Sequence, residues 1–151
     1  MARFHYSLQS ILDIKMKMET QARQEFSVAR NALDEEEEKL GALKDRKGLY
    51  EAESEELRKG TLDFLAMEEN RRSVLVMENF IDTQTEEVHR AEKKLERARI
   101  ALTNVMMERK THETLKEKAF ENFLLEENRA EIKIVDELTS YTYGQKKAEK
   151  A

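Results

Sequence analysis

Apolar residues recur at steps of three and four along nearly the whole chain, the spacing that lays one stripe along an α-helix and, sustained over many turns, makes a coiled-coil seam. The first stretch runs Leu8, Ile11, Lys15, Met18 and Ala22, takes an extra four-residue step to Phe26, and continues Ala29, Leu33, Glu36, Leu40, Leu43, Lys47, Tyr50, Ser54 and Leu57. Two consecutive four-residue steps predict a stutter near Ala22, which locally unwinds a left-handed supercoil. A second stretch is more regular, keeping strict alternation through Val74, Met77, Ile81, Gln84, Val88, Ala91, Leu95, Ala98, Leu102 and Val105. Beyond it the strict register meets Arg109, His112 and Lys116, while apolar residues continue on a shifted track through Leu115, Ala119, Phe123, Ala130, Ile134, Leu138 and Tyr141. This drift predicts a straighter, less tightly paired distal half.

Between Leu57 and Val74, Arg58-Lys59-Gly60-Thr61 supplies basic residues for a last turn, a glycine able to take positive φ, and a possible N-cap. Gly41 and Gly48 lie inside a continuing seam and read as tolerated helix glycines. The expected architecture is therefore all-α: a single domain over residues 1–151 forming a two-helix antiparallel coiled-coil hairpin. Helix 1 is expected over about 4–58, a turn near 59–62, helix 2 over about 62–143, and a frayed tail over 144–151. The longer second helix must overhang the first. Its apolar stripe from about Lys118 to Tyr143 is expected to lack an intramolecular partner and so to be a binding surface.

Composition changes this picture little. Charged residues are 39% of the chain and aromatics 7%, with no Pro, Trp or Cys, which suits long helices better than a packed globule. Without cysteine there is no disulfide, thiolate metal site or cysteine nucleophile, as suits a reducing compartment. The net charge is −5. Basic groups such as Lys44, Arg46 and Lys47, or Arg90, Lys93, Lys94 and Arg97, are interleaved with acids, so no net basic face is expected for nucleic acid. No apolar window approaches the length of a membrane span, and a cytoplasmic location is expected.

Candidate chemistry is sparse. No Gly-rich phosphate loop, HExxH motif or nucleophile elbow occurs, and His5, His89 and His112 are too far apart to form a helical metal pair. The run Asp34-Glu35-Glu36-Glu37-Glu38 radiates around a helix instead of converging on a cation. Neither enzyme activity nor a cofactor is expected. Arg109 and His112 read as a polar layer that sets register. Phe80 with Ile81, and Phe120 with Phe123 and Leu124, present more apolar surface than a two-stranded seam covers. A crossing partner or a third helix is expected over them.

Two motifs carry a family resemblance. The opening Phe4-His5-Tyr6-Ser7-Leu8-Gln9-Ser10-Ile11-Leu12-Asp13-Ile14-Lys15, followed by Glu19, resembles the start of the FliJ family, small coiled-coil components of the flagellar type III export apparatus. Leu125-Glu126-Glu127-Asn128-Arg129-Ala130-Glu131-Ile132-Lys133-Ile134-Val135-Asp136-Glu137-Leu138 resembles the family's C-terminal pattern of Glu-x-Arg followed by Asp-Glu. With a lone turn glycine at Gly60, the resemblance spans essentially the whole chain.

It implies a stalk, monomeric when free, that enters the ring of the hexameric export ATPase FliI and promotes its activity. It also implies contacts with the export gate protein FlhA and with export chaperones, at the inner face of the cell membrane without insertion. Carried over by position, the ATPase-facing residues are Tyr6, Leu8, Leu12 and Lys15 on the first helix and Glu127, Arg129, Lys133, Asp136 and Glu137 on the second. Where the family has aromatics shortly after the turn, this sequence has Arg71, Arg72, Ser73 and Val74. Its aromatic stands further along, and the gate-facing set becomes Met77, Phe80, Ile81 and Gln84. Two readings share the same sequence features: a structural spacer that homodimerises through its seam, and the equivalent stalk of a virulence type III system.

Overall fold

A computed structural model describes residues 2–150. Two helices account for almost all of them, α1 over Gln9–Leu57 and α2 over Phe64–Lys150, with no strand among the described residues. The fold is all-α, two long helices packed against each other as an antiparallel hairpin.

α1 begins at Gln9, not near residue 4. The cause lies in the side chains of the segment before it. Phe4 is half-buried and Tyr6 is buried, while His5, Ser7 and Leu8 are exposed. That is a period of two, so both aromatics reach α2 only from an extended backbone; on a helix they would point to nearly opposite sides. The segment then closes into the helix through the Tyr6 carbonyl, which accepts from the Gln9 amide at 3.1 Å, and the Leu8 carbonyl, which accepts from the Leu12 amide at 3.1 Å.

At the reversal, the Arg58 and Lys59 amides donate to the Glu55 and Glu56 carbonyls, tightening the last turn of α1. Gly60 follows with φ +73°, a conformation that costs a side-chain-bearing residue. The cap of α2 is Asp63, not Thr61: its carboxylate accepts from the Ala66 amide at 3.2 Å and its carbonyl from the Met67 amide at 3.0 Å. α2 runs through Gly144 to Lys150, so the expected fraying at 144 is absent up to that residue; residue 151 lies outside the described residues.

From Leu12 onward the less exposed positions of α1 are 12, 15, 19, 22, 26, 29, 33, 36, 40, 43, 47, 50, 54 and 57, a strict alternation of three and four; Gln9, also partly covered, stands three residues before Leu12. The expected stutter does not occur. Leu8, Ile11 and Met18 flank the seam, and Leu12 and Glu19 occupy it. In α2 the strict register likewise continues past Val105 through Arg109, His112, Lys116, Ala119 and Phe123, while Leu115 is exposed. The apolar stripe does not shift track there, because polar residues hold the seam positions.

Packing divides the chain into two compact units, Thr20–Asn104 and Met1–Glu19 with Val105–Ala151, each containing parts of both helices. In the first, Met77, Val88 and Ala91 are buried, and the register is pinned by polar side chains. The buried Asn70 amide donates to the Tyr50 carbonyl at 2.8 Å, and Gln84 donates to the Glu36 carbonyl at 3.0 Å and to its carboxylate. In the second, Tyr6 and Leu12 are buried, Leu12 to 3% exposure.

Candidate partner-binding surfaces

The unit built from both chain termini contains a polar layer and an uncovered helix. Glu19 is nearly buried in the seam and pairs with Arg109, which also reaches Glu113 at 2.8 Å. Beside them the Lys15 ammonium donates to Glu108 at 2.7 Å, a bond that lowers the Glu108 carboxyl below the ordinary carboxylate range. Charges held in a seam are weak contributors to stability but specify which partner lies opposite. Next along α2, Phe4 packs edge-on against Phe120, ring centres 5.1 Å apart, and against Phe123 at 5.4 Å. The extra apolar surface expected to need a crossing partner is thus partly met by the chain's own N-terminal segment.

Beyond Glu127 nothing covers α2. Every residue from 128 to 150 is exposed, so the uncovered stretch starts later than the expected Lys118, because residues 4–8 lie over its first turns. Ile132, Ile134, Val135, Leu138, Tyr141 and Tyr143 are all more than half exposed.

The residues singled out from sequence fall into distinct settings. Arg129, Lys133, Asp136 and Glu137 stand on this free stretch, Glu127 sits at its edge, and Leu8 is partly open. Tyr6 and Leu12 instead pack inside the unit, and Lys15 is half-buried in its ion pair. On the other unit, Met77, Ile81 and Gln84 belong to the seam facing α1, and only Phe80 of that set is exposed.

Sequence reading passed over the residues at the turn. Leu62, Phe64 and Leu65 are exposed, Phe64 to 75%, beside an open cleft of about 800 Å³ lined by Leu57, Phe64, Met67, Val74 and Leu75 among others. An adjacent Phe-Leu pair immediately after a turn, outside any seam position, was the available signal. Among the described residues no group of three or more His, Asp or Glu side chains is placed to hold a metal ion, and no helix is long and apolar enough to cross a membrane.

Comparison with known proteins follows the same lines. Among curated proteins none matches the chain. Among solved structures, the chain is similar to one described as a YscO homolog from Chlamydia trachomatis, with 26% identity and a TM-score of 0.73, over 96% of this chain and 98% of that one. The family model described as flagellar FliJ protein matches residues 4–148. That match takes in both terminal motifs and the turn between the helices, and the chain belongs to the FliJ family.

Proposed function

We propose that this protein is a component of the flagellar type III export apparatus that binds the export ATPase ring, FliI, through the uncovered part of α2, and promotes its ATP hydrolysis. Family membership supports the export role, and the observation that carries the finer reading is the fully exposed helix over residues 128–150. A helix left without an intramolecular partner, bearing apolar residues together with Arg129, Lys133, Asp136 and Glu137, suits insertion into a charged channel. Each exposed ion pair there contributes on the order of 0 to 1 kcal/mol, which allows binding that exchanges as the ring changes state.

The gate protein, FlhA, is proposed to meet the surface beside the turn. Leu62, Phe64 and Leu65 are exposed apolar residues there, with Phe80 exposed further along α2, and they stand in for Met77, Ile81 and Gln84, which face α1. Export chaperones complete the proposed partner set. Purified chain mixed with its cognate FliI is expected to co-elute and to raise ATP turnover; no association and no change in turnover would remove the proposal. The likeness to a YscO homolog favours a second reading, the equivalent stalk of a virulence system. Complementation of a non-motile flagellar deletion strain separates the two, since only the flagellar protein restores swimming.

A further inference from the structure

We propose that residues 128–150 of α2 form a self-complementary interface on which a second copy of this chain docks antiparallel. The surface is apolar and open. Ile134, Leu138 and Tyr141 continue the line of Ala119 and Phe123 at helical spacing, and Val135 widens it on one side, all four with more than half of their surface in solvent. An isolated helix of this length gains little from propensity alone, and pairing its apolar face is what makes such a helix stable.

Charge selects the occupant and its direction. Between residues 128 and 138, the acids Glu131, Asp136 and Glu137 outnumber Arg129 and Lys133. After Leu138, Lys146, Lys147 and Lys150 outnumber Glu149. The stretch therefore runs from acidic to basic. A second copy laid antiparallel sets each acidic half against a basic half, while a parallel copy sets like against like. Helix dipoles add to the same preference. Antiparallel pairing of identical segments is a closed two-fold contact, so association stops at a dimer. The paired length, about 30 Å of helix, is short for a coiled coil, so the dimer is expected to exchange with monomer. This interface is distinct from dimerisation through the seam, which the chain's own hairpin already fills. It covers the stretch bearing Arg129 and Lys133, so a copy paired with its twin is not free for another partner.

Sedimentation equilibrium of the full chain alone tests this without any export component. The expected result is a monomer–dimer equilibrium across the micromolar range, weakened by salt. Val135→Asp with Leu138→Asp is expected to leave the chain monomeric with its melting temperature unchanged. A variant with Lys146→Glu, Lys147→Glu and Lys150→Glu, and another with Glu131→Lys, Asp136→Lys and Glu137→Lys, should each self-associate about tenfold more weakly, and an equimolar mixture of the two should restore dimer. A monomer at every concentration overturns the proposal. So does a dimer that survives the Val135/Leu138 double variant, or one indifferent to both charge reversals, which would be parallel or elsewhere. Because no ATPase is present in the measurement, failure of this proposal is distinct from failure of ring binding.

Discussion

Glu19 and Arg109 show how a single residue pair sets what a seam can be read from. An apolar count passes over Glu19 and selects Met18 in its place, and selects Leu8 and Ile11 where Leu12 holds the seam; the two choices together generate the apparent stutter at Ala22. With Leu12 and Glu19 in the seam, the spacing of α1 is regular from Leu12 to Leu57. Removing the guanidinium takes a charge partner from the buried Glu19 carboxylate, so Arg109→Leu should lower the melting temperature, while Arg109→Leu combined with Glu19→Leu should restore or exceed the parent value. Thermal melts of the two variants followed by circular dichroism check the order. Leu12 is the most buried apolar side chain, and Leu12→Ala should cost about 2 to 3 kcal/mol in denaturant unfolding.

At the scale of the elements, the glycines give opposite signs. A Cβ at Gly60 meets nothing within 4 Å, so Gly60→Ala is opposed only by its positive φ and should cost about 1 kcal/mol. Gly41 and Gly48 are helical with equally open surroundings, and alanine at either should stabilise by about 0.5 to 1 kcal/mol. Denaturant titration of the three variants measures both signs at once. Paired carboxylates along the two helices also carry a pH dependence of the hairpin. Hydrogen bonds from Gln84, Arg71, Arg99 and Lys15 lower the carboxyls of Glu36, Glu68, Glu96 and Glu108 respectively, relative to an ordinary value of 4.5. Those groups hold protons less tightly folded than unfolded, so unfolding takes up protons. Stability is then full at neutral pH and declines as pH falls below about 4.5, which melts at descending pH would record.

Much of this was legible in the chain and some was not. The seam from Val74 to Val105 and the reversal at Gly60 follow directly from spacing and from the one glycine placed outside a seam. The N-terminal segment escapes because nothing between Phe4 and Leu8 breaks a helix, and the period of two that Phe4 and Tyr6 follow is too short a run to be read from sequence; Phe4 packs on Phe120 from outside α1. Its consequence is the later start of the free stretch of α2. The partner-facing residues divide for a related reason: position in a motif does not distinguish a side chain that packs inward, such as Tyr6 or Leu12, from one left outside, such as Arg129 or Lys133. Asn70 and Gln84, which tie the helices together through backbone carbonyls, are invisible to a hydrophobic pattern because they are polar.

For the whole molecule, stability and partner binding are carried by different parts of α2. Covered positions of α2 recur up to Glu127, and every described residue after it is exposed. Hydrogen exchange should accordingly be fast over residues 128–150 and slow over the seam, a difference mass spectrometry of peptic fragments resolves. The most direct measurement is FliI turnover in the presence of the full chain and of a chain ended at Glu127. The account predicts that both chains melt at the same temperature while only the full one binds the ring and raises its ATP hydrolysis. A shortened chain that activates FliI as well as the full one would contradict it.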